Sequence, residues 1–307
     1  LAAKAAADSI QHLYFLAREG QILKLVYDQW VSNDANAIPS DYLVLSRRAI
    51  TVPMISNFDD ILQIARVQYY PNHLSEFIQE RYGLKLSHEE LKNFARLGLW
   101  PKNKLVSVEN ENIDHLMPVL QTLEERILTN AQIEHPGLLA YLNSVGLNTN
   151  SKSAIVDIGY SATIQGYLNR LMNQAIHGYY LMTTTRVQKI SSQYDAITQG
   201  YFAHDIDPKI SPPPIFLKSF SLEKLLSSDD AQIVSYRQTD SGDILSEFRH
   251  LADEERQSML TRAEIRRGIM DFVNQSITIR DKLVSDFKVP PDIAIDLFEE
   301  FIAHPSK

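Results

Sequence analysis

The 307-residue chain has no cysteine. That absence excludes disulfides, thiolate zinc sites and cysteine nucleophiles, and it fits a reducing compartment. No apolar run approaches the roughly 20 residues a helix needs to cross a bilayer. The alanine-rich start, Leu1 to Ala7, is too short and too weakly apolar for a signal peptide. With no initiator methionine before it, the chain reads as a piece of a longer protein. Positive charge is in short supply. The 30 Lys and Arg against 38 Asp and Glu leave a net charge of −8, which argues against broad nucleic-acid binding. The histidines never recur at metal-ligand spacing, so no zinc site is expected. No repeat of fixed period and no low-complexity segment interrupts the chain. What remains is an ordinary globular composition, long enough to bury a substantial core, with the cytoplasm or the inner face of its membrane as the expected location.

Strand and helix signals alternate. Leu13-Tyr14-Phe15-Leu16 is a short apolar run and Ala17-Arg18-Glu19-Gly20 a turn, after which Ile22, Leu25, Val26 and Trp30 fall at helical spacing. A polar loop from Ser32 to Asp41 leads to a second strand, Tyr42–Leu45, ending on Ser46-Arg47-Arg48. Residues 57–145 read as a helical insertion, punctuated by Pro71, Gly83 and Pro136-Gly137. Strand character returns at Ala154-Ile155-Val156, with a loop Asp157–Thr163, a helix to Met172 and a further strand Gly178–Met182. Beyond Pro212-Pro213-Pro214, helices are expected near Leu222–Leu226, Ile244–Met270 and Ile293–Ile302. Near-continuous apolar strands between helices predict an α/β fold with a parallel sheet covered on both faces. The expected division is a core of 1–56 and 146–210, the insertion 57–145, and a mainly helical region 211–307.

The loop Asp157–Thr163 carries the strongest chemical signal. Small residues between a buried strand and a helix let backbone N–H groups converge on an anion, and the helix dipole supports the charge. Ser161 and Thr163 add hydroxyls, and Asp157 stands at the strand tip, where open α/β sheets bind ligands. The plain alternative is a strand-to-helix connection whose hydroxyls cap the helix. Val156-Asp157-Ile158-Gly159 also looks like the opening of an S-adenosylmethionine-dependent methyltransferase, but later glycines are missing and two strands precede it. The Gly-Lys-Ser/Thr ending of a P-loop is absent. Upstream, Arg18 suits bidentate contact to a phosphate and Gly20 permits close backbone approach. His204-Asp205-Ile206-Asp207 contains an Asp-x-Asp, read as a loop, and the charged run Glu247–Arg267 reads as a solvated helix face.

The Asp157 segment resembles the phosphoribosyl-pyrophosphate loop of type I phosphoribosyltransferases, in which an apolar strand and acids precede Thr-Gly-x-Thr around a 5-phosphate. Setting Asp157 on the second acid places Ser161 on the first Thr and Ala162 on the Gly. The sequence departs from the pattern at Val156, where the first acid stands, and at Ile164, in place of the final Thr. A narrower resemblance is to bacterial polysaccharide-biosynthesis proteins that pair Phe-Leu-x-Arg-Asp/Glu-Gly with Ser-Arg-Arg and a later Val-Asp-Ile-Gly. Here these are Phe15–Gly20, Ser46–Arg48 and Val156–Gly159, and the likeness covers about the first two-thirds of the chain plus Ser221–Leu226. The resemblance implies a phosphoribosyltransferase-like (Rossmann-like) core. It implies transfer of ribofuranosyl-5-phosphate from phosphoribosyl pyrophosphate, with Mg²⁺, to a lipid-linked glycan acceptor in O-antigen or capsule biosynthesis, releasing pyrophosphate. A haloacid-dehalogenase-like phosphatase on the same or a neighbouring polypeptide would then remove the phosphate. Arg18, Gly20, Ser46, Arg47 and Arg48 would meet pyrophosphate. Gly159, Tyr160, Ser161, Ala162 and Thr163 would hold the 5-phosphate. Asp157 or Glu19 would act as base, and the helical regions would face the acceptor. The competing readings are the methyltransferase and a non-catalytic module that binds a glycan or a partner.

Overall fold

The computed structural model of the protein describes residues 1–147, 151–284, 287 and 290–304. Among them are nine strands: β1 (His12–Leu16), β2 (Ser40–Leu43), β3 (Tyr69–Asn72), β4 (Val106–Val108), β5 (Ser153–Asp157), β6 (His177–Thr184), β7 (Ile197–Ile206), β8 (Ile233–Gln238) and β9 (Ile244–Phe248). The chain forms two compact units, residues 1–45, 147–232 and 250–307 in the first, and 46–146 with 233–249 in the second.

The first unit is α/β. Five strands make one sheet in the order β2-β1-β5-β6-β7, and every neighbouring pair is parallel. The apolar runs explain this: Leu13, Tyr14, Phe15 and Leu16 of β1 and Ala154, Ile155 and Val156 of β5 are all buried, as strands covered on both faces require. Leu13, Phe15, Ala154 and Val156 pack with Ala5 and Tyr27 in one core cluster. A second cluster joins Ile158 just after β5, Met182 within β6 and Ile206 at the end of β7 to Ile215 and Leu222 of the short helices Pro214–Leu217 and Ser219–Leu226. The strand order reverses between β1 and β5. At such a switch point neighbouring loops leave the sheet in opposite directions and open a crevice at its carboxyl edge.

The second unit is largely helical, with an antiparallel strand pair, β3–β4, and an antiparallel hairpin, β8–β9. Its core is built on Ile61, Phe77, Ile78, Tyr82, Leu116, Leu120 and Ile127. The unit is wider than the expected insertion, starting at Ser46 and gaining the hairpin 233–249. Pro136-Gly137, expected to interrupt helical structure, lies inside a single helix, Met117–Ser144. An internal proline costs about 3 kcal/mol, and packing against β8 offsets it. Gly137 lies so close to β8 that a Cβ there would sit 2.5 Å from the Arg237 and Tyr236 backbone. Four residues on, Tyr141 stacks on Tyr236 with ring centroids 4.1 Å apart.

Two expectations need correction. Ile244–Phe248, expected to be helical, forms β9, because the Asp240-Ser241-Gly242 turn folds it back on β8. Gly242 takes a left-handed φ of +89° there. The helix begins only at Asp253 and runs to Lys282. His204 and Asp205, expected in a loop, lie in β7, an edge strand whose partner groups come from β6 alone. No helix among the described residues is long and apolar enough to cross a membrane.

Candidate functional site

Two loops leave the switch point side by side, since Phe15 of β1 pairs with Val156 of β5. After β5, Asp157 accepts a hydrogen bond at Oδ1 from the Ile158 N–H, 2.8 Å away. The loop then crosses the end of β6. Met182 N–H donates to Ile158 O at 3.0 Å and Thr184 N–H to Tyr160 O at 2.9 Å. The crossing requires glycine at 159, where φ is +153° and a Cβ would stand 2.5 Å from the Met182 carbonyl oxygen. The Gly159–Tyr160 peptide is cis, as is Ala17–Arg18 in the other loop. Ala162 precedes the helix Thr163–Met172 in the left-handed region, φ +56°. The Ser161 and Thr163 hydroxyls are 3.3 Å apart, so both meet at the helix start.

These two backbone positions make a paired prediction. Gly159→Ala forces a side chain into the Met182 carbonyl and is expected to cost about 1–3 kcal/mol. Ala162→Gly relieves a left-handed alanine and should stabilise by about 1 kcal/mol. Urea unfolding of the two variants reads both signs.

After β1 the turn Ala17–Glu19 enters the helix Gly20–Trp30. Gly20 is buried, and a Cβ there would meet the Phe15 carbonyl carbon at 2.7 Å, so its smallness lets the helix start against the strand. The half-buried Arg18 has Nη1 3.8 Å from Glu255 Oε1. Both oxygens of Glu19 are engaged. Oε1 accepts from Ser227 Oγ at 2.7 Å, and Oε2 from the Arg18 backbone N–H at 3.2 Å.

Ser227 introduces a third wall that sequence reasoning did not place here. The Tyr160 ring packs edge-on against Phe216, with centroids 5.5 Å apart. On the next helix Ser219 and Glu223 are four residues apart and share a face, and Ser227 is the residue that caps the helix end, its N–H donating to Glu223 O at 2.8 Å. The segment after it clasps the unit. Asp230 Oδ2 accepts from Gln21 Nε2 at 3.0 Å and from the Tyr42 hydroxyl at 2.9 Å. Asp229 takes hydrogen bonds from Arg262 and Arg266 of the helix Asp253–Lys282. Burial works against ionisation of Asp229, but the two arginine bonds outweigh it and hold its pKa below the usual range. Glu223 is displaced the other way. Burial is the largest cause and the charge of Glu19 adds to it, against a smaller opposing pull from Tyr160, Arg18 and Lys224. The Tyr160 hydroxyl is buried beside Glu223 without a well-aligned hydrogen bond. Burial and the charges of Glu223 and Asp157 raise its pKa.

Ser46, Arg47 and Arg48 belong to the second unit. Ser46, expected at a pyrophosphate, is the cap of the helix Arg47–Thr51. Its Oγ accepts from Ala49 N–H at 3.1 Å and donates to Ile233 O at 2.7 Å. Arg48, expected at the same ligand, makes a two-pronged pair of 2.6 and 2.7 Å with Glu134, which is fully buried. Asn130 completes the network, bonding Glu134 Oε1 at 2.8 Å and Tyr82 O at 3.0 Å. Both polar groups are spent inside the unit. Arg47 is exposed, and its charge adds to burial in lowering the pKa of Arg81.

Among the described residues no group of three or more His, Asp or Glu side chains is placed to hold a metal ion. Val156, where the resembled pattern has an acid, is a buried core residue. No protein-family model matches the chain, and no curated protein matches it either. Fold and site together define an α/β protein with a five-stranded parallel sheet. At its switch point an acid-glycine-hydroxyl loop and an arginine-glutamate turn lie at neighbouring strand ends, with a helix bearing a second glutamate packed against the loop.

Proposed function

We propose that the protein is a phosphoribosyltransferase-type glycosyltransferase that moves ribofuranosyl-5-phosphate from phosphoribosyl pyrophosphate to a glycan hydroxyl and releases pyrophosphate. The observation that carries the reading is the juxtaposition at the switch point. Converging hydroxyls at a helix start suit a terminal phosphate, and the neighbouring strand end offers Arg18 for a diphosphate. Ser161, Thr163 and the backbone from Gly159 to Ala162 hold the 5-phosphate. Asp157, at the tip of β5, faces the ribose and stabilises the positive charge that grows at C1 as pyrophosphate departs. Arg18 neutralises the leaving group. Mg²⁺ enters as part of the substrate, bound by the diphosphate oxygens. The acceptor is a lipid-linked glycan of a surface polysaccharide such as O-antigen or capsule, and a haloacid-dehalogenase-like phosphatase strips the phosphate afterwards. The parallel sheet with this strand order supports a phosphoribosyltransferase-like core.

The methyltransferase reading rests on Val156–Gly159 alone, and a module with a decayed loop on Val156. Calorimetric titration with phosphoribosyl pyrophosphate plus Mg²⁺, and separately with S-adenosylmethionine, separates the three. The proposal expects binding of the first only. Binding of S-adenosylmethionine, or of neither ligand, contradicts it.

A further inference from the structure

We infer that Glu223 is the catalytic base that receives the acceptor's proton, a role that rests on the transferase reading above. The geometry leaves few candidates. Glu19 is fixed at both oxygens by Ser227 and the Arg18 backbone, so it is held as a rigid acceptor of those hydrogen bonds. Asp157 sits at the strand tip beside the 5-phosphate loop, where a lasting negative charge serves the ribose. Glu223 comes from a different element, the helix Ser219–Leu226, whose cap residue Ser227 bonds both the Glu223 carbonyl and Glu19, and Glu223 lies beside Tyr160. Leu222 and Phe216 pack with Ile158 and Tyr160, so this stretch of chain is held directly against the β5 loop, facing it from outside the sheet.

In the step, the acceptor oxygen forms its bond to C1 and the C1–O bond to pyrophosphate breaks. The leaving diphosphate takes the electron pair, and the acceptor's proton passes to the Glu223 carboxylate. No oxidant or further reactant is needed. A base works best with a pKa close to the operating pH, and burial together with the Glu19 charge moves Glu223 upward, in that direction. The groups facing it are Glu19 and Arg18 from the β1 turn, Tyr160 from the β5 loop and Lys224 from its own helix. Glu255 of the helix Asp253–Lys282 reaches Arg18. Because the folded-state pKa is raised, ionised Glu223 is a burden on the fold. Glu223→Gln should therefore be more stable than the parent at neutral pH, and the difference should close as pH falls through the raised pKa.

The test measures pyrophosphate release against pH for the parent, Glu223→Gln and Glu223→Asp, with dye-linked glycans and with water as acceptors, alongside donor calorimetry. The parent rate should rise with pH as Glu223 loses its proton. Glu223→Gln should lose about a hundred- to ten-thousand-fold in turnover together with that acid limb, with donor affinity unchanged. Glu223→Asp should keep the limb at a reduced rate. A Gln variant within about threefold of the parent, or one that keeps the limb, overturns the assignment; so does a loss of donor affinity, which would make Glu223 a donor-binding group. A parent that binds no donor fails the transferase reading itself, and the base assignment falls with it.

Discussion

Asp157→Asn is expected to cut turnover by about a hundred- to a thousand-fold while the fold stays as stable as the parent. The amide keeps the size and the Oδ1 acceptor that the Ile158 N–H uses, so the strand end and its loop retain their shape. What disappears is the charge. A sugar that loses pyrophosphate develops positive charge at C1, and a fixed carboxylate beside it is worth most in that transition state. The loss should therefore fall on kcat more than on donor affinity. It should also leave the shape of the pH profile intact, unlike the Glu223 substitution. Near-parental turnover in a folded Asp157→Asn protein would make Asp157 a structural cap of the loop, with Glu19 and Glu223 as the remaining acids.

Glu134→Ala should produce the largest stability loss, about 3–5 kcal/mol, because it leaves the Arg48 guanidinium without its buried partner. The Arg48 Nε is already buried without a partner, so little slack remains to accommodate the change. Asn130 would lose one of its two acceptors as well. Replacing both members by apolar residues, Glu134→Leu with Arg48→Met, should recover much of that loss, since a buried ion pair and a packed apolar pair are of similar worth. Denaturant midpoints of the single and double variants decide the point. An additive double variant would mean that the two residues do not act as a pair.

The parts of the site that were legible in the sequence are local. Phe15–Gly20 and Val156–Thr163 each hold a strand, a turn and a helix start within a few residues, so periodicity and small-residue spacing expose them. The small residues at 159, 161 and 162 belong to that same short-range logic, but the reason for glycine at 159, the Met182 carbonyl on β6, and the left-handed Ala162 emerge only from the structure. The third wall was hidden by distance along the chain. Ser227 meets Glu19 across 208 residues and Asp230 meets Gln21 across 209, and no spacing rule links such positions. Ser221–Leu226 was visible as an amphipathic segment, but nothing in it shows which face meets the sheet. Arg48 misled for the same reason. A basic pair after a strand reads as a phosphate contact until its buried partner, 86 residues away, is seen. In the second unit, packing against β8 carried a helix through Pro136, and a turn at Gly242 made a strand where charge patterning suggested a helix.

The most direct test of the transferase reading is the mass of its product. Phosphoribosyl pyrophosphate, Mg²⁺ and a panel of lipid- or dye-linked glycan acceptors are incubated with the protein and analysed by mass spectrometry. A loop that grips the 5-phosphate leaves that phosphate on the product, so an adduct heavier by one pentose phosphate is expected. Phosphatase treatment should reduce it to the pentose adduct. Acceptors consumed only with nucleotide sugars, giving a neutral sugar adduct, would contradict the account.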